Sequence, residues 1–296
     1  MILVYGASGY IGSHIIKELK ANNTEYVVSP TRIYLYNDII QDIIKYKPTH
    51  IISAAGYSTP TTIDHYENNK EDLILTNTTG NLILSDITHR YNIHLTLIMS
   101  GCIYKYTNNY EYINKYSSYY TEIQKFTEEC KPNFSESFYS KNRIDTENIL
   151  SNYSHICILR LRMPISSDVH KKSLITKIIN YKTVINIPNS MTVLDDLIPF
   201  INIVIDKKLT GKYNMVNTGT ITHPIILSLY QKYVNPYYKF TIISEDDQNL
   251  NLLAKRSNCH LSNKKISDHM NVPHIFDSVK EIFIDLSNVI KKYHLY

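Results

Sequence analysis

The chain has 296 residues, which suits one two-lobed unit or two domains, and 43% of them are hydrophobic, enough for a sizeable core. The net charge of +4 is scattered, which fits a solvated surface and not a nucleic-acid-binding one; no apolar run reaches the ~18–20 residues of a membrane span. Cys102, Cys130, Cys157 and Cys259 lie far apart without a CxxC pair, which argues against a disulfide framework or a metal site and for a reducing, cytoplasmic compartment.

The first predicted strand, "ILVY" (2–5), follows Met1 directly, so no signal or transit peptide is expected ahead of the fold. A helix follows over 10–20, then a strand "EYVV" (25–28) and a helix "NDIIQDIIKY" (37–46) with helically spaced Ile pairs. "THIISAAG" (49–56) is a strand ending in small residues. The stretch 71–91 reads as one long helix, "HLTLIMS" (94–100) as a strand, a further helix begins near Tyr139, and "HICILRLR" (155–162) is a strand. Strands alternating with crossover helices predict an α/β fold with a Rossmann-type, doubly wound parallel sheet. The pattern changes after Arg162, with loop-like stretches around Pro164 and Pro188 and an amphipathic helix over 277–292. This divides the chain into a nucleotide-binding domain over 1–163 and a smaller, mainly substrate-binding lobe over 164–296, with "GKYNMVN" (211–217) returning to the first domain as a late strand. The Tyr-rich polar stretch 105–127 reads as a loop insertion bordering the site.

"GASGYIG" places Gly6, Gly9 and Gly12 between a strand and a helix. Such glycines let the backbone turn tightly and approach a pyrophosphate, which sits on the helix N-terminus. Ser8, Tyr10 and Ile11 belong to the same loop. After the second strand an NAD enzyme usually carries a carboxylate for the ribose 2′-hydroxyl. Here Ser29 and Arg32 stand in that region with no acid after Val28, which suits a 2′-phosphate and favours NADPH, with NADH as the alternative. Ala54, Ala55 and Gly56 supply small residues where the cofactor lies against the third strand.

Ser100 and Cys102 close the fourth strand, on the edge where doubly wound sheets bind ligands. Taken alone, Cys102 reads as a small buried hydrophobe. Ser100, Tyr139 and a cation four residues on, Arg143, form a carbonyl-reductase constellation. Tyr donates a proton to the carbonyl oxygen, Ser hydrogen-bonds the same oxygen, and the cation assists the Tyr and holds the nicotinamide ribose.

From these residues and from "SGCIY", "KPNFSESFYSK", "LRLRMPISSD", "LITKI", "NIPNSMTVLDDLIP" and "AKRSN", the chain resembles the bifunctional nucleotide-4-keto-6-deoxyglucose 3,5-epimerase/4-reductases. These belong to the extended short-chain dehydrogenase/reductase superfamily. The likeness runs from about Ile2 to the final helix. It implies 3,5-epimerisation and then NADPH-dependent 4-reduction of UDP-4-keto-6-deoxy-D-glucose to UDP-L-rhamnose. It also implies a Cys/Lys proton-exchange pair matching Cys102 and Lys177, and a reductase Tyr matching Tyr139. Arg256 matches a position near the nucleotide diphosphate, and Asn189 and Ser190 fall in the family's substrate loop. A homodimer is compatible with this reading. The departure is Arg143, where the family has Lys. Arg keeps the charge permanently but presents a wider, planar fork. Two other readings stay open: a reductase alone, resembling dTDP-4-dehydrorhamnose reductase, and a catalytically silent NADP-binding regulatory subunit.

Overall fold

The apolar runs 2–5, 50–53, 94–100 and 156–161 become strands almost wholly buried on both faces, as strands sandwiched between helix layers must be. The computed structural model describes residues 1–58, 62–107, 124–250 and 252–293. Among them, the strands are β1 (Ile2–Tyr5), β2 (Tyr26–Ser29), β3 (His50–Ser53), β4 (His94–Ser100), β5 (Lys125–Phe126), β6 (Ile156–Leu161), β7 (Thr183–Ile185), β8 (Gly211–Asn214), β9 (Thr241–Ile243) and β10 (His260–Leu261). Six of them form one parallel sheet in the order β2-β1-β3-β4-β6-β8. The chain steps outward from β1 to β2, then crosses back to lay β3 on the other side of β1. That reversal opens a crevice at the carboxyl ends of β1 and β3, the expected ligand position in such a sheet.

The two faces of β1 show why the helices flank the sheet. Ile2 and Val4 join a core with Ile15 and Leu19 of the helix Tyr10–Ala21 and with Phe200, Ile201 and Val204 of the helix Phe200–Lys207. Leu3 and Tyr5 join the opposite core with Ile39 and Ile43 of the helix Tyr36–Tyr46 and Leu84 and Ile87 of the helix Asn81–Arg90. A third cluster gathers Ile165, Ile175, Ile178, Val193, Ile225 and Phe283, from the later part of the chain. The late strand Gly211–Asn214 is the sheet edge beside β6. The helix Phe200–Lys207 also returns to the sheet, packing on the face of β1 that carries Ile2 and Val4.

The expected long helix over 71–91 is interrupted. Helix Lys70–Ile74 runs into a π-helical turn, Leu75–Gly80, before Asn81–Arg90 resumes α geometry. A Cβ at Gly80 would lie 2.7 Å from Ile33 Cγ1, so the turn needs glycine there. The polar stretch 105–127 lies largely outside the described residues; of its described ends, Lys125–Phe126 pairs in parallel with His260–Leu261. No described helix is long and apolar enough to cross a membrane.

At the foot of the sheet two buried imidazoles meet, with His50 Nδ1 3.1 Å from His94 Nδ1. His94 Nε2 faces the Leu209 carbonyl at 2.9 Å and must donate to it. Its Nδ1 then accepts from His50, and His50 Nε2, 2.8 Å from Thr96 Oγ1, accepts from that hydroxyl. This wiring holds only while both rings are neutral. Burial, helped by His94 and Lys208, pushes His50 down to about 3. The unfolded chain therefore binds a proton near pH ~6.5 that the folded chain refuses, so stability is full above about 6.5 and falls towards about 3. Denaturant unfolding across this window should show that decline, at most ~1.4 kcal/mol per pH unit for this site. His50→Gln should remove this site's share of the slope and leave that of the other lowered histidines, such as His223, and an unchanged slope would show the pair to be irrelevant.

Candidate active site

The cofactor cradle is built by close approach. Gly6 has φ +74°, and a Cβ there would sit 2.4 Å from Ala55 N and 2.7 Å from Ala54 O. A Cβ at Gly12 would lie 2.1 Å from Gly6 O, so the third glycine lets the helix press onto the turn. Gly9 is the N-cap of helix Tyr10–Ala21, and no side chain caps that terminus. Its first N–H groups and positive dipole end are available for a pyrophosphate. Ser8 is exposed at the loop tip, and Ile11 is half-buried beyond it. Tyr10 is buried, with its hydroxyl 2.7 Å from Ser166 Oγ and its ring stacked on His170 at 4.4 Å. Its side chain therefore ties the loop to the later part of the chain, leaving its backbone for phosphate.

At the adenosine end the structure supplies a carboxylate that the residues next to Val28 did not. Asp42, from helix Tyr36–Tyr46, accepts a 2.5 Å hydrogen bond from Ser29 Oγ and a 3.2 Å one from the Tyr5 hydroxyl. Ser29 also accepts from Thr31 N, so its proton is committed inward. Arg32 is exposed and has no ion-pair partner among the described residues, which leaves it as the cation able to grip a 2′-phosphate.

The residues expected of a reductase lie on and beside the first turn of the helix Phe138–Leu150. Ser137 caps helix Phe138–Leu150 by accepting from Ser140 N at 3.1 Å, and Phe138 N donates to Glu67 Oε1 at 2.7 Å. This anchored first turn presents Tyr139, whose ring stacks on Tyr66 at 5.2 Å. Arg143 lies one turn on, its guanidinium carbon 5.2 Å from the Tyr139 ring centroid. Arg143 Nη2 would be 3.8 Å from a Cβ at Gly56, so the guanidinium reaches the small-residue end of β3. It is 8% exposed, its Nε has no partner, and no described carboxylate pairs with it. Beside it, Asn77 in the π-turn accepts from Tyr57 N at 2.9 Å and also approaches Gly56, while its Nδ2 is unpaired. Both side chains approach Gly56, Asn77 through Oδ1 and Arg143 through Nη2, and each keeps one unpartnered buried donor, Nδ2 and Nε, which fits the polar ribose of a nicotinamide nucleotide. Asn77 escaped the sequence reading because a π-turn has no periodic signature.

Cys102 joins the same edge. Ser140 Oγ donates to the Cys102 carbonyl at 2.7 Å, tying the residue after Tyr139 to the thiol-bearing loop. Cys102 N donates to Ser100 Oγ at 3.1 Å, which leaves the Ser100 proton to give elsewhere. Arg162 Nη1 donates to Cys102 Sγ at 3.4 Å. Lys177 lies on the short helix Leu174–Ile178, half-buried, with no carboxylate partner among the described residues; burial, reinforced by Lys172, pushes its ammonium down.

The residues expected at the substrate lie differently. Asn189 and Ser190 have no exposed surface. Asn189 Oδ1 accepts from Arg162 Nη2 and from Cys259 N, its Nδ2 donates to Asn258 Oδ1 at 2.9 Å, and Ser190 Oγ accepts from Leu261 N. They hold the floor of the site. Arg256 donates to Asp64 Oδ2 at 2.6 Å. Burial pushes the Asp64 carboxyl up, but bonds from Arg256, Thr62 and the Ala254 amide outweigh it and hold the group well below the usual range. A cavity of about 460 Å³ opens beside Arg256, lined also by Lys105, Glu136, Glu245, Lys255 and Asn258. Cys102, Tyr139 and Lys177 are not in its wall.

A parallel sheet with a glycine-bounded phosphate cradle and a Tyr-led polar edge defines a nicotinamide-nucleotide-binding epimerase/reductase fold. Residues 2–180 match the NAD dependent epimerase/dehydratase family, and the chain belongs to that family. It is 36% identical over 95% of its length, and 90% of the relative's, to the bifunctional dTDP-4-dehydrorhamnose 3,5-epimerase/dTDP-4-dehydrorhamnose reductase of Arabidopsis thaliana. The crystal structure of the UDP-rhamnose synthase of Acanthamoeba polyphaga mimivirus superimposes with a TM-score of 0.87 at 33% identity, covering 96% of this chain and 98% of that one. The NADP complex of the dTDP-4-dehydrorhamnose reductase of Bacillus anthracis shares the fold, with a TM-score of 0.78 at 17% identity over 96% of this chain and 98% of that one.

Arg32 provides a test of cofactor choice. Arg32→Ala should weaken NADPH binding by about ten- to a hundred-fold, the worth of a charge-assisted bond, and leave NADH binding nearly unchanged. Titration of both nucleotides by fluorescence checks this, and equal loss for both would remove Arg32 from the 2′-phosphate.

Proposed function

We propose that the protein inverts C3 and C5 of UDP-4-keto-6-deoxy-D-glucose and then reduces C4 with NADPH, giving UDP-L-rhamnose. The observation that carries this reading is the hydrogen bond from Ser140 to the Cys102 carbonyl. It ties the residue after Tyr139 to the backbone of Cys102, which supports a proton donor and a thiol serving one site. The name of the Arabidopsis relative gives an epimerase and a reductase activity on a dTDP sugar, and that of the mimivirus relative gives UDP-rhamnose synthesis, which support this reading. A reductase alone would leave the half-buried, carboxylate-free Lys177 without a task.

The 4-keto group acidifies the hydrogens on both neighbouring carbons. Cys102 and Lys177 take and return protons there through an enolate. The lowered Lys177 ammonium gives up its proton more readily than an exposed lysine does. NADPH, when bound, supplies hydride to C4. Tyr139 donates its hydroxyl proton to the C4 oxygen, and Ser100 donates a hydrogen bond to the same atom. Arg143 balances the charge left on Tyr139 and holds the ribose.

Incubation with UDP-4-keto-6-deoxy-D-glucose and NADPH should yield UDP-L-rhamnose, identified by chromatography and NMR. Binding of both ligands without NADPH consumption would favour a silent regulatory subunit instead. The half-reactions should separate by mutation. Cys102→Ala should abolish solvent deuterium exchange at C3 and C5, whereas Tyr139→Phe should spare exchange and depress hydride transfer about 10²–10⁴-fold. Equal loss of both activities in both folded variants would break the assignment.

Arg143→Lys should keep or raise the reduction rate and tighten NADPH binding, because an ammonium fits the ribose more compactly. Arg143→Met removes the charge, so reduction at neutral pH should fall steeply while exchange at C3 and C5 barely changes. Parent-like reduction by Arg143→Met would show that the cation is idle.

A further inference from the structure

Arg160 and Arg162 sit two residues apart at the end of β6, both fully buried. Arg160 has a conventional partner. Its Nε and Nη2 both donate to the Glu147 carboxylate, and its Nη1 reaches the Tyr104 hydroxyl and Asn214 Oδ1. Arg162 has no carboxylate within ion-pair distance among the described residues. Its Nη2 donates to Asn189 Oδ1 and, at 2.5 Å, to the Ser257 carbonyl. Its Nη1 donates to Ser257 Oγ at 2.9 Å and to Cys102 Sγ at 3.4 Å, and its Nε is unpaired. A buried charge without a counter-charge costs several kcal/mol, so its position calls for an explanation.

The groups facing Arg162 narrow the explanation. His223 is pushed down to about 4, by burial first and Arg162 second, so it stays neutral. Burial pushes the Cys259 thiol up to about 11 despite the pull of Arg162, so that sulfur is neutral too. Tyr106 contributes a phenol. Of the two sulfurs near Arg162, Cys102 is the one at hydrogen-bond distance from the guanidinium and the one partly exposed. Asn189 and Ser257 fix the guanidinium so that one edge is presented to Cys102. Dipoles clamp the cation without neutralising it.

We propose that Arg162 is a positioning residue for proton exchange: it aligns the Cys102 sulfur and is the fixed counter-charge for that sulfur when it acts as the base. The inference rests on the epimerase role of Cys102 for its consequence, but its physical content concerns two residues of this chain and is tested without substrate. When Cys102 takes a proton from carbon, the S–H bond forms, the C–H electron pair moves into the enolate, and the ion pair with Arg162 is relaxed. Return of the proton restores it. No electron donor or acceptor is needed.

Two substrate-free measurements test the pair. Iodoacetamide alkylates the thiolate form of a cysteine, and peptide mapping isolates the Cys102 signal from that of Cys130. Arg162→Gln should slow Cys102 alkylation at neutral pH by at least about tenfold, the effect of losing a cation at contact distance, and Arg162→Lys should restore much of it. Equal rates in the parent and a folded, NADPH-binding Arg162→Gln variant would overturn the proposal. The second measurement keeps Arg162 intact. Cys102→Asp supplies a permanent negative charge at the sulfur position, and Cys102→Asn has nearly the same shape without it. The Asp variant should unfold at a clearly higher temperature near neutral pH, and an equal or lower midpoint would overturn the proposal even if Arg162 variants fail to fold. With substrate, Arg162→Gln should lose C3 and C5 exchange in proportion to its alkylation loss. If the parent shows no exchange at all, the proposed function fails while the alkylation and stability results still decide the ion pair.

Discussion

Burying positive charge is the constraint around which the centre of this protein is organised. An isolated cation removed from water is destabilising by several kcal/mol unless charge or dipoles compensate it. Arg160 meets the cost in the ordinary way, through the Glu147 carboxylate on helix Phe138–Leu150. That pair fastens β6 to the helix that carries Tyr139. Arg143 and Arg162 are compensated by dipoles and ring faces alone, and each keeps an unpaired Nε. Removing one partner of the Arg160–Glu147 pair exposes the other to an uncompensated interior, whereas the charges of Arg143 and Arg162 already await a partner. The first arrangement serves stability. The second stores electrostatic potential at the edge where ligands bind.

The sheet order puts that potential where chemistry can use it. Reversal between β1 and β3 brings Gly6 against Ala54 and Ala55, close enough that a single Cβ would collide with backbone. From there the contacts run without a break. Gly56 meets Arg143 and Asn77, Arg143 lies over Tyr139, Ser140 bonds the Cys102 carbonyl, Cys102 meets Arg162, and Arg162 meets Asn189. Loops from both parts of the chain thus share one polar edge. Asp64 with Arg256, and Tyr10 with Ser166, add further ties between early and late sequence.

Much of this was legible in the sequence because its signals are local. Strand 94–100 and the helix from Tyr10 follow from periodicity and glycine spacing, and strands at 2–5, 25–28 and 155–162 fall within a residue of their observed bounds. The crevice residues Ser100, Cys102 and Tyr139 follow from their positions at strand and helix ends. What escaped depends on contacts across the chain. Asp42 reaches Ser29 from the following helix, so a rule that inspects the residues after Val28 passes over it. Asn77 needs a π-turn to face Gly56. Asn189 and Ser190, placed by resemblance at the substrate, have every exposed face removed by Arg162, Asn258 and Leu261. Arg162 stood in plain view in "ILRLRMP", since arginines at alternate positions of an apolar strand share one face and must be compensated inside.

Two bare cations on one edge, rather than one, make physical sense for a site with two kinds of proton movement. On the proposed reading, negative charge develops at the Tyr139 oxygen during reduction and at the Cys102 sulfur during epimerisation. A single cation placed between them would stabilise each at the other's expense, because the field of a fixed charge falls with distance and cannot be moved during turnover. Separate guanidiniums avoid that compromise. Arg143 rides on the helix that presents Tyr139, and Arg162 is clamped to the strand end beside Cys102. The backbone of Cys102 is linked to Ser140, so the two charge sites keep a fixed spacing while the substrate changes hands. The substitution of Arg for the family's Lys at 143 then has a physical consequence. On the same reading, the planar fork keeps the charge of an ammonium beside Tyr139 but spreads it over a wider group, so the difference between the two lies in shape and not in charge.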